Sequence, residues 1–98
     1  MTGRILTAVS ARVDADRVEE LVEGFRRLGD GPAPAGLLRS ELLRGPDERW
    51  VVQTLWRDRE ALDAMRADVD VPAAPQLFID VGARPTLEVF EVAAALGP

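Results

Sequence analysis

Trp50-Val51-Val52-Gln53-Thr54-Leu55-Trp56-Arg57-Asp58-Arg59-Glu60-Ala61-Leu62 is the stretch on which the fold turns. Its first half alternates β-branched, aromatic and polar residues, the pattern of a half-buried pleated segment. Trp50, Val52, Thr54 and Trp56 fall on one face; Val51, Gln53 and Leu55 fall on the other. The period then changes: Leu62, Met65, Arg66 and Val69 recur at helical spacing beside Ala61. Asp58 stands where an N-cap belongs, and Glu60 adds negative charge to the same first turn. A strand therefore runs straight into a helix over Arg59 to about Val69, with a tryptophan at the junction.

Upstream, Arg4 to Val13 alternates as a first strand whose two faces are both largely apolar. Asp14 is the expected cap of a first helix, with Asp16 in its first turn. Val18, Leu21, Val22, Phe25 and Leu28 form its apolar stripe, and Glu23 is spaced to pair with Arg27. Gly29 is placed as a left-handed stop, before a Pro- and Gly-rich loop to Gly36. Leu37 to Arg44 reads as a second strand, joined to Arg49–Trp56 by a hairpin turn at Gly45-Pro46-Asp47-Glu48. Arg39 and Glu41 share one face of it and are placed to pair. Beyond the second helix, Gln76 to Val81 reads as a short third helix, Gly82-Ala83-Arg84-Pro85 as a turn, and Thr86 to Ala93 as the last strand.

The order is strand, helix, strand, strand, helix, short helix, strand. That is the split βαβ pattern of an α+β, ferredoxin-like fold, βαββαβ: a four-stranded antiparallel sheet with helices on one face. Helices cover only one side of such a sheet, yet the first strand is apolar on both. The other side calls for a second subunit, so a homodimer is expected, with the last strand or the tail reaching the neighbour.

Composition narrows the chemistry. The chain has 98 residues, enough for a single domain. Its net charge of −5 disfavours nucleic acid or an anionic membrane as a partner. No apolar run is long enough to span a bilayer, and a cytoplasmic location is the expectation. Cysteine, histidine and tyrosine are all absent. Thiolate nucleophiles, imidazole bases and the usual nitrogen and sulfur metal ligands are thereby excluded, and no cofactor or metal is expected.

The strand–tryptophan–cap–helix run Val51 to Leu62, together with the glycine-led strand Gly36-Leu37-Leu38-Arg39-Ser40-Glu41-Leu42, resembles the antibiotic biosynthesis monooxygenase (ABM) family. The resemblance extends from Arg4 to about Val92 and implies a dimeric α+β barrel. Trp56 falls at the position of the family tryptophan that lines a pocket between sheet and helices. The haem-degrading branch adds an asparagine on strand one and a histidine after the tryptophan; those places hold Val9 and Arg66 here. The absence of histidine argues against haem degradation. In cofactor-free aromatic oxygenases an asparagine and a tyrosine also line the pocket, where this chain has Val52 and Leu62.

Of the family's pocket residues the resemblance carries over Trp56 alone; Trp56 and Arg66 are the candidate catalytic residues, and Thr7, Val9, Phe25, Val52, Thr54, Leu62, Met65 and Phe78 the candidate substrate contacts. Trp56 can stack a polycyclic phenol and orient a substrate oxygen with its indole N–H, or it can be a core residue on the second helix. Arg66 can neutralise a phenolate, or it can be a solvated helix-face charge. Two functions stand side by side: a cofactor-independent monooxygenase of a small polycyclic aromatic or phenolic molecule, and a non-catalytic dimeric ligand-binding or accessory protein of the same fold.

Overall fold

A computed structural model of the protein describes residues 3–97. Its elements are β1 (Ile5–Arg12), a single 3-10 turn (Ala15–Arg17), α1 (Val18–Leu28), β2 (Leu37–Arg44), β3 (Arg49–Trp56), α2 (Arg59–Asp68), α3 (Ala73–Asp80) and β4 (Thr86–Glu91). The four strands form one antiparallel sheet in the order β2-β3-β1-β4. This is the ferredoxin-like α+β fold expected from the order of elements.

Register assigns the faces. Ile5, Thr7, Val9 and Ala11 lie opposite Trp56, Thr54, Val52 and Trp50, and all eight are buried. This face carries the helices. The other face presents Leu6, Ala8, Val51 and Leu55, none of them buried, beside Phe90 of β4 and Leu43 of β2. Trp50 is buried in the core and carries the Arg44 guanidinium 4.8 Å from its ring centroid. A partly exposed Trp50 near the hairpin would be the reading of its place in the sequence; instead its cross-strand partner Arg44 covers it.

The helix starts differ in mechanism. At α2, Asp58 is extended and its carboxylate accepts from the Ala61 N–H at 2.9 Å, the expected N-cap. At α1 no such cap forms. The Asp14 side chain makes no capping bond, and its carbonyl starts a 3-10 turn by accepting from the Arg17 N–H. Arg17 does the anchoring instead. Its guanidinium donates to both carboxylate oxygens of Glu20 and to the Asp80 carbonyl at the end of α3. That pairing holds the Glu20 carboxyl below its ordinary range. Glu23 faces Arg26 at 3.7 Å rather than Arg27, whose guanidinium turns to the Glu23 carbonyl. Arg39 and Glu41 pair at 2.7 Å.

The helix stops also depart from expectation. Gly29 is right-handed, with φ −71°, because α1 tightens into successive i→i+3 bonds through Gly31 rather than closing on a left-handed residue. The left-handed glycine belongs to α3. Gly82 has φ +78°, and its neighbour Ala83 donates back to the Phe78 carbonyl in a Schellman arrangement. That helix begins at Ala73, earlier than the Gln76 expected, because Pro75 falls in a first turn whose N–H groups lack intrahelical partners anyway. The last strand ends at Glu91, two residues short of Ala93.

The loop before β2 is pinned at Gly36, φ +83°, whose carbonyl accepts from the Arg57 N–H. A Cβ at this glycine would collide with that of Ala61 on α2. Gly36→Ala is therefore expected to lower unfolding free energy by about 2–4 kcal/mol, from left-handed strain and forced displacement of α2 together, in denaturant titrations. A cost within error of zero would show that α2 does not seat on this glycine.

Asp58 supplies a pH-dependent counterpart. Its carboxyl is held below the aspartate range, first by the Ala61 N–H and then by Arg57. A depressed folded-state value means stability that is present above the unfolded pKa of about 3.9 and is lost as pH falls through the lower folded value. Asp58→Ala should lower Tm at pH 7, and the gap between variant and parent should narrow as the solution is acidified. A gap that stays constant into acid would mean the carboxylate charge plays no part.

Candidate functional site

The helix-facing row of β3 is bulky at its ends and small in its middle: Trp50 and Trp56 flank Val52 and Thr54. Across from them β1 offers Ile5, Thr7, Val9 and Ala11. The core divides accordingly. One cluster gathers Val9, Ala11, Val13, Leu21, Trp50, Val52, Leu77, Phe78 and Val81, where α1 and α3 pack. The other gathers Ile5, Trp56, Ala61 and Leu62, with Leu37, Met65 and Val89 against it, where α2 packs. Between the two, over the small cross-strand pair Thr7 and Thr54, the helices leave a cavity of about 490 Å³. That volume suits a small organic ligand.

The floor of the cavity is an ordered polar strip. Trp56 donates its indole N–H to Thr7 Oγ1 at 3.2 Å. Ser40 Oγ and Thr54 Oγ1 share a hydrogen bond at 2.9 Å. The indole N–H is thus bonded to Thr7 in this structure. Thr7 Oγ1 accepts in that bond, which leaves its own O–H to donate.

Walls and rim are apolar. Phe25 and Leu28 come from α1, Leu62 and Met65 from α2, and Leu87 from β4. Pro32 and Pro34 line it from the loop before β2, and Pro72 and Pro75 from the start of α3. Two charges line the cavity among the described residues, Arg26 and Arg66, and both are cationic. Arg66 is half-buried, near the C-terminal end of α2, and makes no ion pair among the described residues. Arg26 has only its long, exposed contact to Glu23. Acids outnumber bases 17 to 12 in the chain, so a cavity lined by two cations and no anion runs against the overall charge.

Thr7, Val9, Phe25, Val52, Thr54, Trp56, Leu62, Met65 and Arg66 are brought together around this one space. Phe78 is not among them. It is fully buried in the cluster of α1 and α3, because α3 offers its first turn, Ala73 to Pro75, to the cavity and packs its next turn into the core. Ser40 and Leu37 went unread in the sequence. A β-bulge between Leu37 and Arg39 puts both on the helix face, opposite Thr54 and Trp56, although their spacing in strict alternation would separate them. The pairing of Ser40 with Thr54 was within reach by counting back from the hairpin, since Arg44 lies opposite Trp50.

No cluster of three or more His, Cys, Asp or Glu side chains suited to a metal occurs among the described residues. The cavity offers hydroxyls, guanidiniums and the Met65 thioether, and the chain has no imidazole, thiol or phenol. That donor set does not fit the proximal ligation of haem iron. No described helix is long and apolar enough to cross a membrane.

Comparison with known proteins agrees with this architecture. No functionally curated protein matches the sequence. SnoaB, a cofactor-independent oxygenase from Streptomyces nogalater, superposes with a TM-score of 0.73 at 18% identity, over 98% of this chain and 99% of that one. A haem-degrading protein of Mycobacterium tuberculosis superposes with a TM-score of 0.67 at 29% identity, over 98% and 99%. A conserved protein of unknown function from Bacteroides thetaiotaomicron gives 0.70 at 19% identity, over 93% and 99%. The sequence profile of the antibiotic biosynthesis monooxygenases matches residues 4–74, most of the chain from β1 to the start of α3, and the protein belongs to that family.

Proposed function

We propose that the protein is a cofactor-independent monooxygenase of a small polycyclic aromatic or phenolic molecule. The observation that carries this reading is the apolar cavity, with a hydroxyl strip at its floor and cations but no anions in its lining. Such a site favours a flat apolar molecule that ionises on binding. SnoaB, similar in fold, is a cofactor-independent oxygenase, and the donor set here is unsuited to haem.

The chemistry asked of the protein is modest. An activated ring CH₂ loses a proton to give a carbanion delocalised onto a phenolate oxygen. Dioxygen takes an electron from it, and the radical pair joins as a peroxide. The peroxide is protonated and loses water, leaving a ring carbonyl. One CH₂ and one O₂ become one C=O and one H₂O. Arg66 supplies the positive charge that stabilises the anion, and the free O–H of Thr7 donates to its oxygen. Trp56 forms the flat wall against which the rings stack. Val9, Val52, Leu62, Met65 and Phe25 exclude water.

The working unit in this reading is a homodimer. The sheet face opposite the helices exposes Leu43 at 39% and Phe90 at 47%, next to Leu6, Val51 and Leu55. A second copy packed there about a twofold axis would cover an apolar surface that water otherwise meets.

A second reading rests on one observation: no carboxylate or imidazole lines the cavity, so no side chain there is a conventional base. The same fold would then serve as a binding or accessory protein. Oxygen uptake with hydroxyanthrones in the presence of a chelator separates the two. The oxygenase reading expects substrate-dependent uptake by a dimer, cut on the order of 10–100-fold in kcat by Arg66→Gln and lowered by Trp56→Ala, with dimerisation unchanged in sedimentation. Saturable ligand binding without uptake would support the accessory reading. Full activity in both variants would remove these residues from the chemistry.

A further inference from the structure

Three hydroxyls stand in a row across the middle of the sheet. Register sets Ser40 of β2 against Thr54 of β3, and Thr54 against Thr7 of β1. All three line the cavity. The row lies on the sheet face that carries the helices, so a second copy packed on the opposite face does not cover it.

The row offers more protons than the protein accepts. Three hydroxyls carry three O–H groups. One is used between Ser40 and Thr54. Thr7 accepts from the Trp56 indole and keeps its own O–H. Two O–H groups therefore remain, and neither finds an acceptor among the described residues. Thr7 and Thr54 are each only 6% exposed. An O–H held that far from water calls for a partner, and the cavity is where one can stand. Hydroxyls rotate to suit their neighbours. When Ser40 donates to Thr54, the Thr54 O–H turns to the cavity beside that of Thr7. The two donors then sit about one strand spacing apart, roughly 4.8 Å.

That spacing selects among oxygenated rings. Ortho oxygens lie too close together to take one donor each. Para oxygens point in opposite directions and cannot both face the sheet. Oxygens in a 1,3 relation are separated by about the strand spacing and both face one side of the ring. A second observation points the same way. No carboxylate or imidazole lines the cavity, while Arg26 and Arg66 do. A site without a base suits a molecule that is acidic by itself. In its keto tautomer a 1,3-dioxygenated ring is a β-dicarbonyl, and its monoanion spreads one charge over both oxygens. Charge on both strengthens both hydrogen bonds from the threonines.

We propose that the cavity selects an aromatic ring bearing two oxygens in a 1,3 relation and holds it as the monoanion. Thr7 and Thr54 each donate an O–H to one oxygen, Ser40 donates to Thr54, and Arg66 balances the charge. This names the substrate class of the oxygenase reading and rests on that reading's ligand cavity, though on no reaction with dioxygen.

The test is anaerobic titration calorimetry near neutral pH with four probes: naphthalene-1,3-diol, naphthalene-2,3-diol, naphthalene-1,4-diol and 1-naphthol. The 1,3-diol should bind about tenfold or more tighter than each of the others. It should also release a proton on binding, read from the heats in two buffers of different ionisation enthalpy. Thr54→Val and Thr7→Val, checked for native circular dichroism, should each bring the 1,3-diol down to the level of 1-naphthol. Thr7→Ser keeps the hydroxyl and should keep the preference. Ser40→Ala should keep it too, because Thr54 retains its O–H. A preference lost in Ser40→Ala but retained in Thr54→Val would overturn the proposal by moving the second donor one strand away. Equal affinity for all four probes, or binding of the 1,3-diol without proton release, would overturn it and leave the cavity a ligand site. No binding by any probe would overturn it together with the reading beneath it. The preference without oxygen uptake on hydroxyanthrones would support it and remove only the reaction.

Discussion

The hydrogen bond from the Trp56 indole to Thr7, 3.2 Å long and buried, ties the site to the fold. It fixes one of the two tryptophans of the helix-facing sheet across two central strands, and α2 packs on that side chain through Ala61 and Leu62. Because the other tryptophan, Trp50, belongs to a different cluster with α1 and α3, the helices stand on two separate supports. The space between them follows from side-chain size: threonines at the centre of the sheet cannot reach the helices as tryptophans do. A buried indole N–H without a partner would cost roughly 1–3 kcal/mol, so Thr7 serves stability and shapes the cavity at once.

Charge divides the molecule in a similar way. Acidic residues dominate the chain, while Arg26 and Arg66 line the cavity and Arg12, Arg49 and Arg84 gather at the opposite end of the sheet. Elsewhere arginines are paired locally, as Arg17 with Glu20, Arg39 with Glu41, and Arg59 with Asp63. Exposed pairs of that kind contribute little to stability individually. Arg66, which lines the cavity, has no such partner among the described residues.

Much of this was legible in the sequence because period and size are local properties. The alternation of Trp50 to Trp56 marks both the strand and the face that lines the cavity, and Asp58 announces α2 by the chemistry of its side chain. What escaped depends on contacts distant in sequence. Asp14 looks like a cap, yet Arg17 anchors α1 by reaching the Asp80 carbonyl, 63 residues away. Gly29 looks like a left-handed stop, yet the helix unwinds through tighter turns. Phe78 looks like a pocket residue because its helix does border the cavity, but through an earlier turn that begins at a proline-bounded start. Ser40 is hidden by a bulge, which alternation alone cannot reveal.

The central claim is that Trp56 and Thr7 together form the floor of a real ligand site rather than a sealed piece of core. The direct measurement is the fluorescence of Trp56 in a Trp50→Phe background, titrated with polycyclic phenols and hydroxyanthrones, with and without Thr7→Val. The account predicts saturable quenching at micromolar ligand, with affinity reduced on the order of tenfold once the Thr7 hydroxyl is removed. Emission that stays unchanged across the whole panel would contradict it and leave Trp56 a packing residue alone.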